Sequence, residues 1–350
     1  MIKVLIVEDS PVVREFLVHI LEADPELQVV GTANNGEEAT EIVGRLQPDV
    51  ITMDIHMPRM DGLEATRRIM EAHPTPIVIV SGSTSSHEVK TTFDAMEAGA
   101  LAFLPRPAGI GHPDYAATVK ELVKTVKLMS EVKVVRRWPR LRRETVVMRA
   151  AETGLRRVVP AKVEIIAIGA STGGPPVLHT IVSALPEDFP APVLIVQHMA
   201  AGFIRGFADW LAQSSRLPIH LARHGETILP GHIYLAPDEC QMKVARGGKI
   251  ALTRDAPENG LRPSVSYLFR SVAETYGGTA VAGLLTGMGR DGADELKLLK
   301  DQGAVTFAQD KGSSIVHGMP GEAIKLGAAA LVLSPEKIAA VLTSLANNGK

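Results

Sequence analysis

Cysteine is almost absent: the chain of 350 residues has one, Cys240. An intramolecular disulfide is therefore impossible and a cysteine-based zinc site lacks its ligands, which fits a reducing compartment. A charge excess is also missing. With 37 Lys+Arg against 39 Asp+Glu, the net charge of -2 favours neither a nucleic-acid binder nor an acidic-tail protein. No apolar stretch approaches the roughly 18 residues of a spanning helix without a charge or a Gly/Pro break, so membrane insertion is not expected. The apolar run that opens the chain is closed at once by Glu8-Asp9, unlike the apolar core of a signal peptide. The expectation is a cytoplasmic protein.

What remains is ordinary globular composition, 45% hydrophobic and 22% charged. At roughly 150 residues per domain the length predicts about two domains. From residue 2 to about 125, short β-branched runs (Lys3 to Val7, Gln28 to Gly31, Val50 to Met53, Ile77 to Val80, Leu101 to Leu104) alternate with segments of helical period. That alternation predicts a five-stranded parallel sheet covered by five helices. One helix is heralded by Pro11 and carries Val12, Val13, Phe16, Leu17, Ile20 and Leu21 at three- and four-residue steps.

Residues 127 to 157 hold ten Lys/Arg and three Glu. We assign 126–160 as a basic linker, either a solvated connector or an electrostatic docking site for an acidic partner. A second α/β pattern follows over 161–350. Its strand candidates are Val163 to Gly169, Val193 to Val196, His232 to Leu235, Lys249 to Leu252, Ala280 to Leu285, Ala304 to Phe307 and Ala330 to Leu333, again with parallel pairing expected.

In an open parallel sheet, ligands bind at the carboxyl ends of the strands. In the first domain those ends carry Glu8-Asp9, Asp54, Ser81 and Arg106-Pro107. Three carboxylates on one pocket suit Mg²⁺, and Asp54 beside a metal and Arg106 can accept a phosphoryl group as a nucleophile. The text Val-Glu8-Asp9-Ser, Met53-Asp54-Ile-His-Met57-Pro58-Arg-Met-Asp61-Gly62, Ser81 and Gly99-Ala100 leading to Arg106-Pro107 closely resembles a bacterial response-regulator receiver domain. The resemblance implies a flavodoxin-like fold, Mg²⁺ held by Glu8, Asp9 and Asp54, phosphorylation of Asp54 by a histidine kinase, and switch roles for Ser81 and Arg106. Arg106 departs from the family's usual lysine, replacing a point ammonium by a planar fork.

In the second domain Gly169-Ala170-Ser171-Thr172-Gly173 puts a serine in a tight turn directly after a buried strand. The spacing fits neither a phosphate-binding P-loop nor a dinucleotide fingerprint. It does satisfy G-x-S-x-G, a turn that exposes the serine hydroxyl. A nucleophilic serine needs a base, and the base an orienting acid. His198 follows the strand Val193 to Val196, and Asp291 stands in the Gly-rich loop after Ala280 to Leu285. The order Ser171, His198, Asp291 differs from that of α/β-hydrolases and of both serine-protease classes, so the motif does not imply their folds.

The text Gly-Ala-Ser171-Thr172-Gly-Gly, Gln197-His198-Met199, Thr286-Gly-Met288-Gly-Arg-Asp291-Gly-Ala and Gly318-Met319-Pro320 closely resembles the catalytic domain of the chemotaxis protein-glutamate methylesterase (CheB) family. With the receiver and linker the resemblance spans the whole chain. It implies a doubly wound parallel-sheet esterase domain that hydrolyses glutamate methyl esters on methyl-accepting chemoreceptors, and deamidates some receptor glutamines. It also implies catalysis by Ser171, His198 and Asp291 without a cofactor, oxyanion donors at Thr172 and Met288, and a receiver that covers the active-site face until phosphorylated. A DNA-binding response regulator is disfavoured because no helix-turn-helix follows the linker. A non-catalytic scaffold is disfavoured by the intact Ser171, His198 and Asp291.

Overall fold

The computed structural model of the chain describes residues 1–82, 86–132, 134 and 162–347, with the backbone alone at 86–89. The chain divides into two compact units, Met1–Thr145 and Val146–Lys350. Most of the linker expected over 126–160 lies outside the described residues.

The first unit alternates strands and helices: β1 (Ile2–Val7), α1 (Pro11–Glu22), β2 (Leu27–Ala33), α2 (Gly36–Leu46), β3 (Val50–Met53), α3 (Gly62–Ala72), β4 (Ile77–Ser81), α4 (Ser86–Ala98), β5 (Ala102–Pro105) and α5 (Tyr115–Ser130). All pairings are parallel in the order β2-β1-β3-β4-β5, the flavodoxin-like arrangement. Local chemistry sets the helix starts. Pro11 needs no N–H partner at the first position of α1. Asn35 and Asp61 cap α2 and α3 by accepting from the N–H groups of Glu38 and Glu64 at 3.0 and 2.8 Å. Helix α5 runs to Ser130 because Leu122, Val126 and Met129 continue its buried stripe.

The second unit contains β6 (Ile165–Ala170), α6 (Gly174–Ala184), β7 (Val193–Gln197), α7 (Ile204–Ala212), β8 (Ile219–Leu221), β9 (Ile233–Leu235), β10 (Gln241–Ala245), β11 (Lys249–Thr253), α8 (Val265–Tyr276), β12 (Ala280–Leu284), α9 (Ala293–Asp301), β13 (Val305–Gln309), α10 (Met319–Lys325), β14 (Leu331–Leu333) and α11 (Pro335–Asn347). Seven strands form one parallel sheet in the order β14-β13-β12-β6-β7-β9-β8. Ile165, Ala167, Leu194, Val196, Ala280 and Ala282 join one core cluster that takes in residues of α8 and α9. Their alternates, including Ile166, Ile168 and Ile195, are buried as well. Successive strand residues point to opposite faces, so both faces of this sheet are covered.

One strand candidate pairs differently from its expectation. The stretch beginning at Lys249 is antiparallel to Gln241–Ala245 in a separate hairpin. Gly247 and Gly248, at φ +77° and +67°, make its turn. The short strand Ile219–Leu221 lay outside the expected set, since three half-buried edge residues leave little periodicity to read. Among the described residues no helix is long and apolar enough to cross a membrane.

Candidate hydrolytic site and acidic pocket

The chain leaves β6 for β7 on one side and later returns to place β12 on the other side of β6. This is a topological switch point, where the connections diverge and a crevice opens beyond the carboxyl ends of the strands. Ser171 follows β6, His198 follows β7 and Asp291 lies in the loop after β12, so all three face that crevice from neighbouring strands.

Ser171 sits in a turn fixed by the backbone. Its N–H donates to Thr286 O at 3.0 Å, and its carbonyl accepts from Gly174 N–H at 2.8 Å. Gly173 makes the turn at φ +76° and caps α6. Gly287 passes so close that a Cβ there would lie 2.6 Å from Ser171 Cβ, so only glycine lets the β12 loop meet the serine turn. Thr286 closes the joint with its hydroxyl, which donates to Thr172 O at 2.9 Å, while Gln309 Oε1 accepts from Thr286 N–H at 2.8 Å. Gln197 ties the serine to the histidine. Its buried Nε2 donates to Ser171 O at 2.9 Å and to His198 O at 2.8 Å.

The His198 ring turns Nε2 towards Asp291 Oδ2 at 3.0 Å. The separation is that of an ion pair, but Nε2 lies off the hydrogen-bond axis. Nδ1 is thereby the nitrogen left for Ser171. Among the described residues no hydrogen bond joins Ser171 Oγ to His198, a contact that commonly tightens only when substrate is bound.

Asp291 is almost wholly buried, and burial by itself pushes its carboxyl up. His198, Ser266 and the Val265 N–H outweigh that effect and hold the carboxyl at about 2. Three donors from the start of α8 hold the carboxylate. Ser264 Oγ donates to Oδ1 at 2.8 Å, Val265 N–H to Oδ2 at 2.6 Å and Ser266 N–H to Oδ1 at 3.1 Å. The carboxylate thus sits on the positive end of α8. A cavity of about 550 Å³ opens beside it, lined in part by Glu258, Ser266, Met288 and Glu295. Thr172 and Met288 are both half-buried, and Met288 lines that cavity. Among the described residues neither backbone N–H donates to a protein acceptor.

The first unit builds a different site. Glu8, Asp9 and Asp54 bring carboxylate oxygens within 4.8 Å of one another. Arg106 Nη2 lies among them, 3.0 Å from both oxygens of Glu8 and 3.0 Å from Asp54 Oδ2. Burial first, and then the neighbouring Asp54, push Glu8 up to about 7 against the pull of Arg106. Burial likewise raises Asp54, with Arg106 opposing it. Ser81 is buried at the end of β4, where its carbonyl accepts from Arg106 N–H at 2.9 Å. An all-oxygen, tri-carboxylate donor set fits a hard divalent cation such as Mg²⁺.

Of the site residues expected from sequence, the structure pairs His198 with Asp291 and sets Arg106 against Glu8 and Asp54, whereas Ser171, Thr172 and Ser81 stand at the strand ends and, among the described residues, their side chains make no hydrogen bond to those groups. The network behind Asp291 was missing from that expectation. Ser264, between a proline and an apolar run, reads as an ordinary helix cap, but its hydroxyl leaves its own helix for Asp291.

Residues 166–342 match the family model described as CheB methylesterase, and residues 4–112 that of the response regulator receiver domain. A protein-glutamate methylesterase/protein-glutamine glutaminase of Nitrosospira multiformis is 64% identical over 346 residues, 99% of this chain and 97% of that protein. A protein of the same description from Geobacter metallireducens is 57% identical and covers 99% of each chain. The crystal structure of the Thermotoga maritima CheB methylesterase catalytic domain is 37% identical, with a TM-score of 0.51, covering 53% of this chain and 99% of that one.

Proposed function

The chain belongs to the CheB methylesterase family, and from that premise we propose that it is a phosphorylation-regulated protein-glutamate methylesterase of chemotaxis adaptation that also deamidates receptor glutamines. The observation that carries this reading is the convergence of Ser171, His198 and Asp291 at neighbouring strand ends, with the imidazole held against a buried carboxylate at 3.0 Å. The substrates are glutamate methyl esters on the cytoplasmic helices of chemoreceptors.

In the reaction His198 Nδ1 takes the Ser171 Oγ proton as Oγ attacks the ester carbonyl carbon. Asp291 stabilises the imidazolium that forms. The oxyanion receives the N–H groups of Thr172 and Met288, with the amino end of α6 behind Thr172; one such donor typically contributes about 10² to 10³ in rate. His198 then gives its proton to the departing methoxide, releasing methanol and leaving an acyl-enzyme. A water deprotonated by His198 cleaves it to the free glutamate. A glutamine side chain follows the same path with ammonia as the leaving group. The domain limits 1–125, 126–160 and 161–350 stay our reading of where receiver, linker and esterase divide.

In the receiver, Glu8, Asp9 and Asp54 would hold Mg²⁺, which would supply charge neutralisation for the incoming phosphoryl oxygens. Asp54 is the nucleophile towards a phospho-histidine of a chemotaxis kinase, Arg106 neutralises oxygen charge, and Ser81 reports the modified state. Methanol release from methylated receptor membranes tests the whole reading. Wild type should release methanol, more so with a small phosphodonor, while Ser171→Ala and His198→Ala release almost none. Near-wild-type turnover in His198→Ala would remove the assigned base.

A further inference from the structure

The hairpin β10–β11 lies outside the seven-stranded sheet and supplies none of the reacting groups, yet one of its residues reaches the site indirectly. We propose that Gln241 is a positioning residue for hydrolysis, setting the place of the Asp291 carboxylate, and through it the His198 ring, by anchoring the first turn of α8.

Gln241 is fully buried. Its Oε1 accepts from Ser264 N–H at 2.8 Å, and its Nε2 donates to Leu261 O at 3.1 Å and to Ala256 O at 3.4 Å. One side-chain amide thus fixes three points of the connection between β11 and α8. Ser264 is the residue at which α8 begins, but its hydroxyl does not cap that helix. Capping falls instead to Asp291, which takes Ser264 Oγ and the Val265 and Ser266 N–H groups. Gly292 N–H, in turn, donates to Ser266 Oγ at 2.9 Å, binding the Asp291 loop back onto the same turn. Asp291 and the start of α8 therefore move as one body, and Gln241 holds that body to the hairpin. A buried amide with all its partners satisfied is costly to replace, because apolar substitutes leave Ser264 N–H and Ala256 O without partners and Leu261 O with the Glu258 N–H alone. Triads lose rate steeply when a member shifts by about 1 Å, so a residue that never touches substrate can act through such a hold.

The inference rests on the roles given above to Ser171, His198 and Asp291. It is tested in the full chain by replacing Gln241 with methionine, which is apolar and of similar length. The first readout is the rate at which a fluorophosphonate labels Ser171 as a function of pH. We expect Gln241→Met to label about tenfold more slowly, equivalent to about 1.4 kcal/mol. Its acid limb should move to lower pH, because the imidazolium loses a well-placed carboxylate. In an Asp291→Ala background the same substitution should change the rate less than about twofold, as residues acting through one another are not additive. A slower rate with an unmoved acid limb, or the same slowing in both backgrounds, would overturn the proposal. Hydrogen exchange at Val265 and Ser266 is the second readout, and it should accelerate in Gln241→Met. This arm decides the role of Gln241 even if wild type proves unreactive towards the probe, an outcome that would instead remove the assignment of Ser171. Should Gln241→Met fail to fold, Gln241→Asn, which keeps the amide but shortens its reach, is judged by the same two readouts.

Discussion

Replacing Asp291 by alanine removes two things at once: an acceptor for the start of α8 and a counter-charge for His198. Ser264 Oγ and the N–H groups of Val265 and Ser266 all donate to this carboxylate. Orphaned buried donors cost about 1–3 kcal/mol each, and partial relaxation reduces the sum, so the second unit should lose about 2–4 kcal/mol at neutral pH. The ionic share carries its own pH signature. The folded carboxyl sits at about 2 against an ordinary 3.8. A depressed acid contributes stability that is fully present above its unfolded value and disappears as pH falls through the folded one. The contribution is about 2 kcal/mol, present above pH 3.8 and fading towards pH 2. The gap between wild type and Asp291→Ala should narrow by about that amount across this window. Urea-dependent hydrogen exchange of peptides from β6 and β12 measures it for the second unit alone. Methanol release at neutral pH should fall by about 10³- to 10⁴-fold, the usual consequence of losing a triad acid. A stability gap that stays constant from neutral to strongly acidic pH, or turnover within a few-fold of wild type, would refute this account of Asp291.

Three further outcomes concern the receiver. Asp54→Asn should take no phosphoryl group from a small phosphodonor, whereas wild type should do so only with Mg²⁺ present; equal labelling of the two would displace Asp54 as the acceptor. Arg106→Lys should change the factor by which the phosphodonor stimulates methanol release, because a point ammonium replaces a guanidinium that spans Glu8 and Asp54. Each tenfold change corresponds to about 1.4 kcal/mol of coupling, and an identical factor would make the departure silent. Removal of residues 1 to about 150 should raise basal methanol release if the receiver restrains the esterase, as the family resemblance implies; a fall would mean that it assists.

The sequence by itself determined the alternation of strands and helices in both halves, the set of charged residues at the strand ends of the first unit, and the motifs around Ser171, His198 and Asp291. These are legible because burial period, proline and glycine punctuation, and residues that follow an apolar run are properties of a few consecutive positions. Tertiary structure decided the rest. Ser171 and Asp291 become neighbours only because β12 returns to lie beside β6, a matter of sheet order that no local pattern contains. The antiparallel pairing of Gln241–Ala245 with Lys249–Thr253 was hidden for a related reason, since an apolar alternation looks the same whichever way its partner runs. The direction of the His198 ring, the Arg106 guanidinium set between Glu8 and Asp54, and the grip of Gln241 on the start of α8 are ion-pair and hydrogen-bond choices made across long sequence separations. A buried polar group takes whichever partner the packed fold places within about 3 Å, and that place is fixed only after the core has formed.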